Sequence, residues 1–186
     1  MDITIFKDKW LTKKNIILLA IVIVLIIIAI TLFVILQNTK KEKLKLISFS
    51  SKDSSISISV PNEYNFSEVD DDSYVLSLKS SSTGSGIYIS EVSANNIKDF
   101  TKFVESDKND YISKFPNISQ VSDVSESTIN GLRTFNYNFC YKDNMYVDVY
   151  WILEDSNFIT VDFNVNKDNL DMTQYISEIL NSLQFN

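Results

Sequence analysis

Residues 130–165 read NGLRTFNYNFCYKDNMYVDVYWILEDSNFITVDFNV, and this run decides the fold. Apolar and polar residues alternate through Leu132–Tyr141, Met145–Glu154 and Phe158–Val165. A period of two is the mark of strands with distinct faces. Turn-forming residues separate the segments: Asn130-Gly131, then Lys142-Asp143-Asn144, then Asp155-Ser156-Asn157. Short connections of this kind join antiparallel neighbours, so the run predicts a meander. Ile118–Ser127 carries the same alternation just upstream and adds another strand.

The strand faces follow from parity. Matching apolar sides places Phe135, Tyr137 and Phe139 with Val147, Val149 and Trp151, and with Val161, Phe163 and Val165. The opposite face then gathers Asn136, Asn138, Asp148, Tyr150, Asp162 and Asn164. With three-residue turns, Asn138, Asp148 and Asn164 lie side by side, as do Asn136, Tyr150 and Asp162. The plain expectation is the solvated face of an antiparallel sheet. The sharper one is a site for a hard cation such as Ca²⁺, or for polar groups of a peptide, since oxygen-rich clusters suit such ligands.

Outward from the meander, Ile56, Ile58 and Val60 alternate with serines until Pro61 stops the run. Tyr74, Leu76 and Leu78 lead through a Ser/Gly turn at 80–86 to Ile87–Val92, a hairpin. A helix follows. Asn96 is placed to cap it, with Asp99 near the positive end of its dipole. Ile97, Phe100, Val104, Tyr111 and Phe115 fall near one face, residues 106–110 are polar all round, and Pro116 ends the helix. Met172, Tyr175, Ile176, Ile179, Leu180 and Leu183 form the stripe of a second amphipathic helix, the natural lid of the aromatic face.

This domain occupies 46–186. Before it, residues 16–36 are 21 in number, and Thr31 is the only one that is neither aliphatic nor aromatic. As a helix the run spans about 31 Å, the thickness of a bilayer core. It is longer than a cleaved signal's apolar core and lacks a small-residue cleavage site, so the expectation is a permanent transmembrane helix. Residues 1–15 form a short basic head and 37–45 a basic tether. Four lysines flank the span on each side (Lys7, Lys9, Lys13, Lys14; Lys40, Lys41, Lys43, Lys45), so the positive-inside count ties. The signal-anchor layout favours a single-pass protein in the cell membrane with its C-terminal domain outside.

Charge and composition exclude several functions. The whole chain carries −7, divided as +5 over residues 1–45 and −12 over 46–186. So acidic a domain offers no footprint for nucleic acid. There is no His, which removes Ser-His-Asp and Cys-His machinery. A single Cys, Cys140, excludes an intrachain disulfide and a cysteine-rich zinc site. Cys140 is expected to fill a sheet position, and Arg133, the one Arg, to pair with a carboxylate. Asp70-Asp71-Asp72 lacks the alternate spacing and the Gly of a calcium loop. No catalytic residue, cofactor or metal is assigned.

Three stretches taken in order resemble the PsbP-like family, named for an extrinsic subunit of photosystem II. They are Ile56-Ser57-Ile58-Ser59-Val60-Pro61-Asn62-Glu63-Tyr64, Ile129-Asn130-Gly131 opening the meander, and the closing Ile179-Leu180-Asn181-Ser182-Leu183-Gln184-Phe185. The resemblance covers most of 50–186. It implies an α+β fold, an antiparallel sheet between helices in an α/β/α sandwich. It carries over no catalytic residue. It also implies a binding or accessory module, here at the cell envelope with an envelope protein as partner. A second expectation is a membrane-bound regulatory protein whose outer domain senses a ligand while the head meets a cytoplasmic partner.

Overall fold

The computed structural model describes residues 19, 21–31, 45–115, 117–142 and 144–186. Residues 21–31 are helical with exposed side chains. The Thr31 hydroxyl donates to the Ile27 carbonyl at 2.8 Å, satisfying the run's one polar side chain within the helix. Among the described residues no helix is long and apolar enough to cross a membrane. The ends of the expected 16–36 span, the 1–15 head and the tether up to residue 44 lie outside the described residues.

Residues 45–186 form one compact unit. Its centre is the predicted meander. β8 (Leu132–Tyr141), β9 (Met145–Glu154) and β10 (Asn157–Asn166) pair antiparallel in sequence. β10 then pairs with β5 (Gly86–Ser93), β5 with β4 (Leu76–Ser80) and β4 with β3 (Phe66–Glu68). At the far edge β8 takes β6 (Ile118–Ser119) and β7 (Ser125–Ile129), two short strands where the sequence suggests one. Asn130 and Gly131, with φ of 52° and 83°, make the two-residue hairpin from β7 to β8. A second, three-stranded sheet joins β1 (Leu46–Ser50), β2 (Ile56–Pro61) and β11 (Gln184–Phe185).

Helical segments cover both faces, giving the α/β/α layering. α1 (Phe100–Lys114) starts at Asp99 rather than Asn96, because the Asp99 carboxylate accepts from the Lys102 amide at 3.1 Å. It runs unbroken through its polar middle, where Asp107 turns inward to the Tyr137 hydroxyl. It stops at Lys114, and Phe115 is extended, as a residue before Pro prefers. The C-terminal layer is not one helix. A 3-10 segment (Lys167–Tyr175), capped by Asn166, leads into α2 (Ile176–Asn181).

The two layers enclose two cores. α1 covers an aromatic one: Phe135, Tyr137, Phe139, Val147, Val149, Trp151 and Phe158, with Val104 fully buried among them. The C-terminal layer and β2 cover an aliphatic one: Ile56, Ile58, Leu78, Ile87, Val161, Phe163, Val165, Met172 and Ile179. This corrects two expectations. The lid of the aromatic face is α1, and Val161, Phe163 and Val165 belong to the opposite face. The reason is the last turn. Glu154 pairs with Asn157, so the loop is Asp155-Ser156, one residue shorter than expected, and every β10 side chain changes sides.

Candidate ligand groove

The register divides the six expected polar residues. Asn136 stands opposite Tyr150 and Asn138 opposite Asp148, as the sequence suggests. Asp162 stands opposite Val149 and Asn164 opposite Val147, which puts both on the α1 face. The expected rows of three therefore do not form. Asn136, Asn138, Asp148 and Tyr150 remain on one face, and the C-terminal layer lies over Asn136, Asp148 and Tyr150.

Between that layer and the sheet runs an open groove of about 420 Å³. Its floor is Asn136, Asp148 and Tyr150 with Tyr146; one wall is Ser127 and Ile129 of β7. Thr173, Ser177 and Asn181 supply the other wall. Sequence reasoning missed that wall, although the signal was present. Three small polar residues four apart make a stripe beside the apolar one. Tyr146, two residues before Asp148, shares its face by parity. Asn138 shares the face too but is not in the groove; its backbone amide donates to the Ser122 hydroxyl at 2.9 Å.

Asp148 is the chemical centre of the groove. Only 6% of it is exposed. The Tyr150 hydroxyl donates to Oδ2 at 2.9 Å, while Oδ1 is sealed and accepts no hydrogen bond from any described residue. Burial pushes its carboxyl up to about 6, with the Tyr150 hydroxyl and the Asn136 side chain pulling the other way. Burial also drives Tyr146 up to about 12 and raises Tyr150 further, so both phenols stay neutral.

The α1 face holds a second such carboxyl. Asp162 Oδ1 is sealed without a described partner, and burial followed by the Asp107 charge pushes it up to about 7. Asp107 is raised as well, chiefly by burial, although the Tyr137 hydroxyl at 3.0 Å stabilises its charged form. Asn164 lies away from this pair, in a separate hollow of about 240 Å³ beside Tyr111 and Phe139.

The other residues of interest hold structural positions. The Cys140 thiol is buried and donates to Gln120 Oε1 at 2.9 Å. Arg133 makes a two-pronged contact with Glu126, Nε to Oε1 at 2.6 Å and Nη2 to Oε2 at 3.1 Å, and lies over the Phe135 ring. Asp70 and Asp72 meet Lys52 on the surface. Among the described residues no cluster of three or more acidic, His or Cys side chains could hold a metal ion.

No protein-family model matches the sequence, and no curated protein sequence matches it. Solved structures do. The solution structure of cyanobacterial PsbP (CyanoP) from Synechocystis sp. PCC 6803 superposes with a TM-score of 0.54 at 14% identity, covering 78% of this chain and 95% of that one. A crystal structure from Bacteroides thetaiotaomicron VPI-5482 superposes with a TM-score of 0.50, also at 14% identity, over 75% of this chain and 48% of that one. At these identities the likeness is one of architecture, and it agrees with the ordered motifs and the layered sheet. The domain of residues 45–186 has the PsbP-like fold.

Proposed function

We infer that the chain is a single-pass membrane protein displaying a PsbP-like domain outside the cell, where it acts as a non-catalytic binding or accessory module of the envelope. The observation that carries the binding role is the groove over Asp148. It is concave, mixed in polarity, and holds one convergent buried acceptor, the features of a ligand site. What it lacks is reaction machinery. Its carboxylate is bound by a phenol that stays neutral, and no nucleophile with an adjacent base is found among the lining residues.

The apolar run 16–36 supports the anchor. Its length matches a bilayer, and its described part is a helix with Thr31 satisfied internally. Protease shaving of intact cells, blotted for the C-terminal domain, tests the location. Loss of the domain with a cytosolic control intact is expected. Protection until lysis would put the domain in the cytoplasm and end the display reading. Turnover of a generic hydrolase substrate, lost on Asp148→Asn, would end the non-catalytic one.

A further inference from the structure

The groove's chemistry narrows what it takes. None of its lining residues is basic, and Asp148 is its only ionisable group of low pKa. An anion would find no counter-charge there, in a domain that already carries −12. A bare metal ion would find a single carboxylate, and among the described residues no cluster of three or more acidic, His or Cys side chains could hold it. A neutral hydroxyl could hydrogen-bond to Asp148 but would leave its charge uncompensated under the C-terminal layer. A cation of modest size with an apolar stem meets every feature present. Tyr146 and Tyr150 sit two residues either side of Asp148 on the same face and offer ring surfaces to a positive charge. Ile129, Ile176 and Leu180 offer aliphatic surface to methylene groups.

We propose that the groove between β9 and α2 seats a primary alkylammonium group, its nitrogen over the Asp148 carboxylate and its methylenes along Ile129, Ile176 and Leu180. This rests on the binding role inferred above and gives it a ligand class. The chemistry is shared by the lysine side chain of a partner protein and by a free polyamine. Tyr150 holds Oδ2, so the carboxylate is oriented before the ligand arrives. Oδ1 is buried beneath the groove floor, so direct contact with it requires the floor to open.

The test is a titration of the full-length chain in neutral detergent, followed by amide NMR shifts. The probes are N-α-acetyl-lysine-amide, its Nε-acetylated counterpart and 1,4-diaminobutane. Saturable shifts at Ser127, Asn136, Asp148 and Ser177 are expected with the lysine amide, and at least tenfold weaker binding with the uncharged acetylated form. Asp148→Asn removes an unpaired buried charge and is expected to fold, with binding reduced at least tenfold. Ser177→Lys, on an exposed helix position, sets a tethered ammonium at the groove and is expected to compete with the probe. Tighter binding of the diamine than of the lysine amide assigns a polyamine source, and the reverse a protein lysine. No saturable shift in the groove with either amine, equal binding of the acetylated form, or unchanged binding by Asp148→Asn would each overturn the proposal. The location readout is independent. Amine binding by a domain found inside the cell would refute only the display reading, and an external domain that ignores both amines only this one.

Discussion

The two faces of the central sheet solve the same problem with different materials. Under α1 the core is aromatic: Phe158 alone lies within 6.2 Å, centre to centre, of Phe100, Phe103, Phe135 and Trp151. Under the C-terminal layer it is aliphatic, with Ile179, Val161 and Leu78 at its heart. Each face also buries one aspartate, and these sit on neighbouring strands with side chains pointing opposite ways: Asp148 opposes Phe163, and Asp162 opposes Val149. Asp162 faces a second carboxyl, Asp107, across a helix packed on aromatic rings. Asp148 faces a groove walled by small polar side chains. One buried charge is tied into the packing of a helix; the other lies under the floor of a groove. A sheet buried on both sides can keep an unpaired carboxyl for two different ends.

The largest break in this comparison comes from the cores themselves. Phe158→Ala is expected to lose about 4 kcal/mol in chemical denaturation and Ile179→Ala about 3 kcal/mol. Phe158→Ala should also speed amide exchange along 100–114, because its ring contacts anchor α1.

Next come the carboxyls and pH. Both have folded-state values above the ordinary 3.8, so each favours folding when protonated. That contribution is full below pH 4 or so. It is lost as pH rises, by about 6 for Asp148 and about 7 for Asp162. Asp162→Asn is therefore expected to raise stability at pH 8 by about 2 kcal/mol, allowing for partial exposure, and to change little at pH 4. Asp148→Asn should do the same by about 1 kcal/mol. Thermal melts across pH check both, and a loss of stability at pH 8 would show that the charges are paired after all.

Tyr150→Phe removes the donor to Oδ2 and is expected to cost about 1 kcal/mol and to raise Asp148 further, leaving Asp162 unmoved. The smallest effect is Arg133→Lys, which breaks an exposed two-pronged pair and should change stability by less than about 1 kcal/mol.

The legible and illegible parts of the fold divide along the same sheet. β8 and β9 were readable to the residue, because Tyr141 and Met145 close a loop whose ends the alternation marks on both sides. β10 was not. Val161, Phe163 and Val165 alternate with Asp162 and Asn164 as expected, but with both faces of the sheet covered the alternation does not tell which core the apolar set joins. The Asp155-Ser156 turn decided it: Asn157, expected as the last residue of the turn, pairs with Glu154. The same double burial hid half the candidate site. Asp162 looked like a neighbour of Asp148 and stands behind it. The helical wall of the groove escaped because the Thr173, Ser177 and Asn181 stripe lay beside a stronger apolar one. β1, β3 and β11 escaped because strands of two to five residues carry too few positions to show a period.

The most direct test is a carboxyl-carbon NMR titration of the aspartates in the full-length chain, with Asp107→Asn alongside. Asp148 is expected to titrate near 6 and Asp162 near 7, with Asp107→Asn lowering Asp162 and leaving Asp148 where it was. Two aspartates titrating together near 4, or a common response to Asp107→Asn, would contradict the account of two buried carboxyls on opposite faces of one sheet.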